Sequence, residues 1–240
     1  MFQIAACISY ARKYGYEWAA PADARESCVH RVFPDLPKIN AHFQGVPKNG
    51  YDAVSFNHYE WPRWGDNVLL QGFFQSEKFF ANVKDEVKKV FALPHIPGFE
   101  DYCSIHIRRG DYVQYSGSFP PVTVEYVEKA MQKIRTGKYL VFSDDIQWCK
   151  EQFAHLDNSM QRFWYSESKS EADDLSMMAS CGHHIIANSS FSWWGGYLGH
   201  NPDKVIVSPS YKGLNWYGPT AGVKEPKDLI PPEWIQIEFR

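Results

Sequence analysis

From Tyr102 to Ser208 short apolar runs alternate with capped amphipathic stretches, and this alternation constrains the fold more than any other feature of the chain. Strands are expected at 102–107, 138–142, 162–165, 184–187 and 205–208. Between them the spacing predicts helices over 124–135 (behind Thr123 and ended by Gly137), 146–153, 172–180 and 192–198. A strand–helix rhythm of this kind predicts an α/β domain with a parallel, doubly wound sheet. Such sheets bind ligands at the carboxyl ends of their strands. The residues that follow each strand are therefore the ones to inspect.

Two of those strand ends are chemically dense. Cys103 to Tyr112 delivers His106, Arg108, Arg109, Gly110 and Asp111 within six residues. Two adjacent guanidiniums suit a doubly charged anion such as a nucleotide diphosphate, because each presents a planar, permanently charged fork to phosphate oxygens. The second cluster, Ile185 to Gly196, passes from an apolar strand through Asn188, Ser189 and Ser190 into Phe191 and a helical stretch. Hydroxyls and free backbone N–H groups at such a turn also form an anion site. Two turns of this type facing one cleft would hold a diphosphate without a metal ion.

The first half is less regular. Phe2 to Tyr14 has apolar residues at helical spacing, with Gly15 as its C-cap. Tyr16–Ala20 and Val68–Phe74 read as strands, and Ser76 as the cap of one helix over Glu77–Phe91. Pro21 to Pro62 is rich in Pro, Asn, Gly and His and reads mostly as loop. Ala92 to Glu100, with two prolines and a glycine, is the expected boundary, giving domains at about 1–100 and 101–240. The 240 residues suffice for two small domains, and the 44% hydrophobic content supports a packed core.

Composition narrows the partners. A net charge of -3 argues against nucleic acid. The five cysteines are odd in number and lack a C-x-x-C pair, so they read as reduced thiols and not as a disulfide frame or zinc site. Met1 leads into an amphipathic pattern and not a signal peptide, and no run of about 18 apolar residues would form a transmembrane segment; a cytoplasmic protein is the expectation. Asp144-Asp145 resembles a metal-binding Asp pair, but acidic residues ahead of a helix usually cap it, and no metal is expected. Trp193 and Trp194 read as packing residues, and His183-His184 as a helix-to-strand turn. Asn188-Ser189-Ser190 matches a glycosylation acceptor without a secretory signal to support its use.

With the clusters placed on strand ends, the chain resembles the α-1,2-fucosyltransferases of glycosyltransferase family 11. The matching blocks are Gly72 to Phe80, His106 to Tyr112, Phe142 to Cys149, Asp174 to Met178, Ile185 to Gly196, Pro202 to Val205 and Asp228 to Pro231. The resemblance implies a GT-B architecture: two Rossmann-like domains with parallel sheets and the active site between them. It implies inverting, metal-independent transfer of fucose from GDP-fucose to a terminal galactose of a glycan, with no cofactor. Arg108 and Arg109 would stabilise the departing diphosphate. Asn188, Ser189, Ser190 and the N–H of Phe191 would surround its oxygens, His106 would contact the nucleoside, and Asp174 would accept the guanine N–H groups. Asp111 is a candidate catalytic base, or else an anchor for Arg109 or a cap of the next turn. The family's Met-Phe-Gln stretch normally follows a strand and a Gly-rich turn. Here Met1-Phe2-Gln3 opens the chain, so the N-terminal domain is expected to lack its usual first strand. A non-catalytic GDP-sugar or glycan-binding relative, and a fucosyltransferase of another linkage such as α-1,6, stand as alternatives.

Overall fold

The computed structural model describes residues 1–21, 28–39, 48–50, 57–65, 67–157, 161–213, 215–223 and 225–239. Much of the Pro21–Pro62 region lies outside them. The chain forms two compact units, one of Met1–Ala92 with Pro226–Pro231, the other of Leu93–Glu225 with Pro232–Arg240.

The first unit opens with helix α1, Phe2–Tyr14, which buries Phe2, Ile4, Ala5, Ala6, Ile8, Ser9, Tyr10 and Ala11. Gly15 ends it in the left-handed region (φ 77°), which glycine adopts without the strain a side chain would bring, and its N–H returns to the Ala11 carbonyl. Strand β1 (Ala20–Pro21), helix α2 (Cys28–Val32) and strand β2 (Lys38–Ile39) follow, β1 and β2 pairing in parallel. Strand β3 (Lys48–Gly50) pairs in parallel with β4 (Leu69–Gln71).

Both strands expected here are shorter than their apolar runs. Residues 16–19 are not strand: Tyr16 instead donates its hydroxyl to the carbonyls of Trp64 and Gly65. The chain leaves β4 after Gln71 because Phe74, at φ 50°, turns its ring onto Trp61 and Phe79. The single helix expected over 77–91 is two: a 3-10 helix, Glu77–Val83, then α3, Lys84–Val90. The two are separated at Val83 (φ −133°, ψ 25°), and the 3-10 segment is itself kinked at Phe80 (φ −133°, ψ 22°). Phe79 and Phe80 are both buried, Phe79 against Trp61 and Phe80 against Phe2, and the kink at Phe80 lies between these two packing partners.

The return segment Pro226–Pro231 closes this unit. Leu229 and Ile230 are buried, and the Asp228 carboxylate accepts the His58 N–H (2.9 Å) and the Lys78 ammonium (2.5 Å). Burial alone would raise the Asp228 carboxyl; the Lys78 and His58 donors outweigh it and hold the group below its ordinary range.

The second unit is built on a six-stranded parallel sheet. Its elements are β5 (Tyr102–Ile107), α4 (Gly110–Gln114), α5 (Val124–Met131), β6 (Lys138–Ser143), α6 (Ile146–Asp157), β7 (Phe163–Tyr165), α7 (Glu171–Ser180), β8 (His183–Ile185), α8 (Ser190–Tyr197), β9 (Ile206–Pro209) and β10 (Ile235–Ile237), with a short 3-10 turn, Pro219–Ala221, before β10. The strand order is β10-β9-β8-β5-β6-β7. The chain winds outward from β5 to β7, returns to the other side of β5, and winds outward again to β10. Helices α5 and α6 cover the face carrying Cys103, Ile105, Ile107, Tyr139 and Val141. Met178 of α7 and Phe191 of α8 pack on the opposite face, against Leu140 and Phe142. The two-residue alternation of β6 thus feeds two cores.

Differences from the expected elements are local. Helix α5 stops at Met131, four residues early, because the chain tightens into three-residue turns that still bury Ile134. Helix α6 continues past Phe153 to Asp157, which brings Leu156 onto the same core. His183 and His184 belong to β8 and not to a turn: His184 is fully buried and its Nδ1 lies 2.9 Å from Ser104 Oγ on β5. Trp193 and Trp194 are buried packing residues, as their setting predicts.

Asp228→Ala should cost the first unit about 1–3 kcal/mol, since it leaves the part-buried His58 N–H unpaired and removes the Lys78 ion pair. The check is hydrogen exchange: amides of α1 and α3 should exchange faster while β5 stays protected. Unchanged exchange in α1 would show that the return segment does not support the unit.

Candidate active site

The reversal of winding places the topological switch point between β5 and β8, the position at which doubly wound sheets bind ligands. The two dense clusters of the sequence are the loops that follow these strands. Strand order therefore brings His106–Asp111 beside Asn188–Phe191, although about eighty residues separate them. Strand β6, on the other side of β5, adds Asp144 and Asp145 to the same edge.

The two arginines have different surroundings. Arg109 is pinned: its Nε donates to Asp145 (3.0 Å) and its guanidinium lies 3.9 Å from the Trp148 ring centre. Arg108 points outward with 38% of its side chain exposed. It is held by two carboxylates, Asp111 through Nη2 (2.7 Å) and Asp144 through Nη1 (2.8 Å). Asp144 also accepts the Arg109 backbone N–H (2.8 Å). Of the roles open to Asp111, anchoring Arg109 belongs instead to Asp145. The pair Asp144-Asp145 divides its work: Asp145 caps α6 by accepting the Trp148 N–H, whereas Asp144 is turned onto the arginines. Two guanidiniums and three carboxylates meet here, so an incoming anion must compete for Arg108.

His106 lies on the α8 face of β5. It is 7% exposed, and its ring centre is 5.5 Å from that of Phe191. Burial, reinforced by the Arg108 charge, pushes its pKa down to about 3, so the imidazole is neutral. Its Nδ1 is buried and has no hydrogen-bond partner among the described residues.

On the β8 side the helix starts two residues earlier than its apolar pattern suggests. Ser189 is its N-cap, accepting the Phe191 N–H (3.3 Å), and Ser190 is exposed at the first position. Asn188 is buried, and its amide donates to the Pro120 and Trp216 carbonyls, both at 2.9 Å. It ties two loops to the strand end, and a buried amide is closed to glycosylation. Tyr112 bridges the clusters by donating its hydroxyl to the Asn188 carbonyl (3.0 Å).

Asp174 stands apart, in the first turn of α7, which follows β7 at the sheet margin. Its carboxylate accepts the Ser166 hydroxyl (2.5 Å), and burial raises its pKa despite that bond. An open cavity of about 640 Å³ borders this region, lined by Phe99, Tyr102, Trp164, Ser166, Asp173 and Met177; Arg108 and Ser189 are not among its walls. Tyr112, Asp144 and Trp148 were not singled out for the site from sequence. Only the β8-β5-β6 pairing reveals that they meet the arginines.

A parallel doubly wound sheet with fixed cations and a helix start at its switch point defines a Rossmann-like α/β protein. The chain belongs to glycosyl transferase family 11, whose sequence model matches residues 23–238. It is 27% identical over 193 residues to an alpha-1,2-colitosyltransferase of Escherichia coli, covering 72% of this chain and 63% of that protein. It is 35% identical over 148 residues to the O-antigen biosynthesis glycosyltransferase WbnK of Escherichia coli, covering 56% and 44%. With the galactoside alpha-(1,2)-fucosyltransferase 2 of Sus scrofa it shares 24% over 197 residues, covering 72% and 57%. The matched stretch thus spans between 44% and 63% of these relatives' length.

His106 and His184, both held neutral with pKa values near 3, give the stability of the second unit a defined pH dependence. Unfolded, each takes up a proton near its ordinary value of 6.5. The unfolded state therefore binds more protons between about pH 6.5 and 3, and stability is lost as pH falls through that window, by up to about 1.4 kcal/mol per pH unit per histidine. Urea midpoints measured from neutral pH downward should fall accordingly, and less steeply in His184→Gln. Equal slopes would mean that His184 is not buried as a neutral group.

Proposed function

We propose that this protein transfers L-fucose from GDP-fucose to a terminal galactose of a glycan, forming an α-1,2 linkage with inversion and without a metal ion. The observation that carries the reading is Arg108, a solvent-facing guanidinium fixed at the switch point beside the start of α8. Charge accumulates on the diphosphate as the sugar–phosphate bond breaks. A cation already held in place stabilises that state more than the ground state, without reorganisation during the reaction.

The other roles follow from position. Ser190 and the first N–H groups of α8 receive phosphate oxygens, where the helix macrodipole favours negative charge. Arg109, locked on Trp148, contributes positive charge from behind Arg108. His106 offers an unmet ring nitrogen to the nucleoside, and Asp174 accepts the guanine N1–H and N2–H. Asp111 is released from Arg108 when the diphosphate arrives and takes the proton of the acceptor hydroxyl as its oxygen attacks the sugar. Resemblance to an alpha-1,2-colitosyltransferase makes a colitosyl donor the second donor to test.

Calorimetric titration with GDP in excess EDTA, against UDP and ADP, is the direct test. Selective GDP binding supports the donor assignment; absent or unselective binding overturns it. Arg108→Ala should lower kcat for transfer to galactose-terminated acceptors by roughly 10²–10³-fold with the fold retained. Near-normal turnover in a folded variant would remove Arg108 from the chemistry. Asp174→Ala should weaken GDP affinity about tenfold or more while leaving kcat near that of the parent; unchanged affinity would take Asp174 out of the guanine site.

A further inference from the structure

Gly110, between the arginines and Asp111, is not required by backbone conformation. Its φ lies outside the left-handed region, and it is the first residue of α4, where alanine is the better helix former. What it provides is space. A Cβ at this position would lie 2.5 Å from Asp144 Oδ2 and 3.9 Å from the guanidinium carbon of Arg108. That oxygen is the one paired with Arg108 Nη1, and the other oxygen of the same carboxylate accepts the Arg109 N–H. The carboxylate end is thus fixed at both oxygens and cannot retreat without loosening one of these bonds.

The two carboxylates on Arg108 differ accordingly. Asp111 is 53% exposed and bonds through one oxygen; Asp144 is 27% exposed and bonds through both. We infer that Asp144 is a positioning residue that holds Arg108 in its working orientation, and that Gly110 is the seat that admits its carboxylate. Asp111 is the partner an incoming phosphate oxygen replaces; Asp144 remains. The inference deepens the functional reading above and rests on Arg108 acting on a departing diphosphate.

The test compares Gly110→Ala, Asp144→Asn and the double variant. An added methyl forces the carboxylate back by roughly 1 Å to reach ordinary contact. Misplacement on that scale should lower kcat roughly tenfold to a hundredfold with KM for the donor little changed. Gly110→Ala should lose this turnover with a thermal midpoint equal to or above that of the parent, because alanine favours the helix. Asp144→Asn should lose turnover while binding GDP as tightly or more tightly, since a negative charge beside the phosphates is gone. The double variant should be no slower than the slower single variant. Parental kcat in folded Gly110→Ala, or losses that multiply in the double variant, overturns the inference. Hydrogen exchange of the Arg109 amide gives a readout independent of activity: faster exchange in Gly110→Ala supports the seat, and unchanged exchange overturns it. If the parent protein transfers no sugar at all, the functional reading fails and the exchange result alone decides the seat.

Discussion

Strand β5 is paired with β6 along its full length and with β8 along three residues, and that double pairing creates the candidate site. A strand bonded on both edges has no freedom to shift register, since a one-residue slip would exchange its two faces. Cys103, Ile105 and Ile107 would then leave the core under α5 and α6, and Ser104 and His106 would enter it. Register thus fixes where β5 ends, and with it the position of Arg108. The pairing with β6 brings up Asp144, and the pairing with β8 brings up the start of α8.

The site is an arrangement of opposed charges more than a basic patch. Arg109 and Asp145 form a shielded pair backed by the Trp148 ring, with the planar guanidinium meeting both a carboxylate and an aromatic face. Arg108 is also paired on both nitrogens, yet remains exposed enough to exchange a partner. A fully buried cation would be committed to its carboxylates, while a free one would wander among rotamers. Between these limits a cation is oriented and still available, as electrostatic preorganisation requires. The neutral His106 extends the same logic: its charge is suppressed by burial and by Arg108, which leaves a ring nitrogen for hydrogen bonding and adds no third cation beside the two arginines.

The first unit is held differently. Its parallel pairs are two or three residues long, and its order comes from α1, the aromatic packing of Trp61, Phe74 and Phe79, and the returning Asp228. The sequence reading was correspondingly weaker there. Helix α1 and its glycine cap are local signals of helical periodicity and Gly15, whereas the apolar pattern runs on past the end of β4 and across two helices. Both differences have one cause: Phe74 and Phe80 take up backbone geometries dictated by tertiary packing, which apolar pattern alone does not encode.

In the second unit the strand–helix alternation, the boundaries of β5 and the cap Thr123 follow from residues within a few positions of each other. So does the grouping of His106, Arg108, Arg109 and Asp111 on one loop, and of Asn188 to Phe191 on another. These were legible because hydrogen-bond capping and hydrophobic periodicity are short-range. Three things are settled only in three dimensions: that Asp144 serves the arginines and Asp145 serves both Arg109 and its own helix, that Asn188 spends its amide on two loop carbonyls, and that Asp111 pairs with Arg108 while Arg109 turns to Asp145. Each depends on which strands are neighbours and on how far a side chain is buried. The sequence determined which charges stand at the ends of which strands; the order of strands in the sheet decided which of those charges meet, because electrostatic partners are chosen by distance in space and not by separation along the chain.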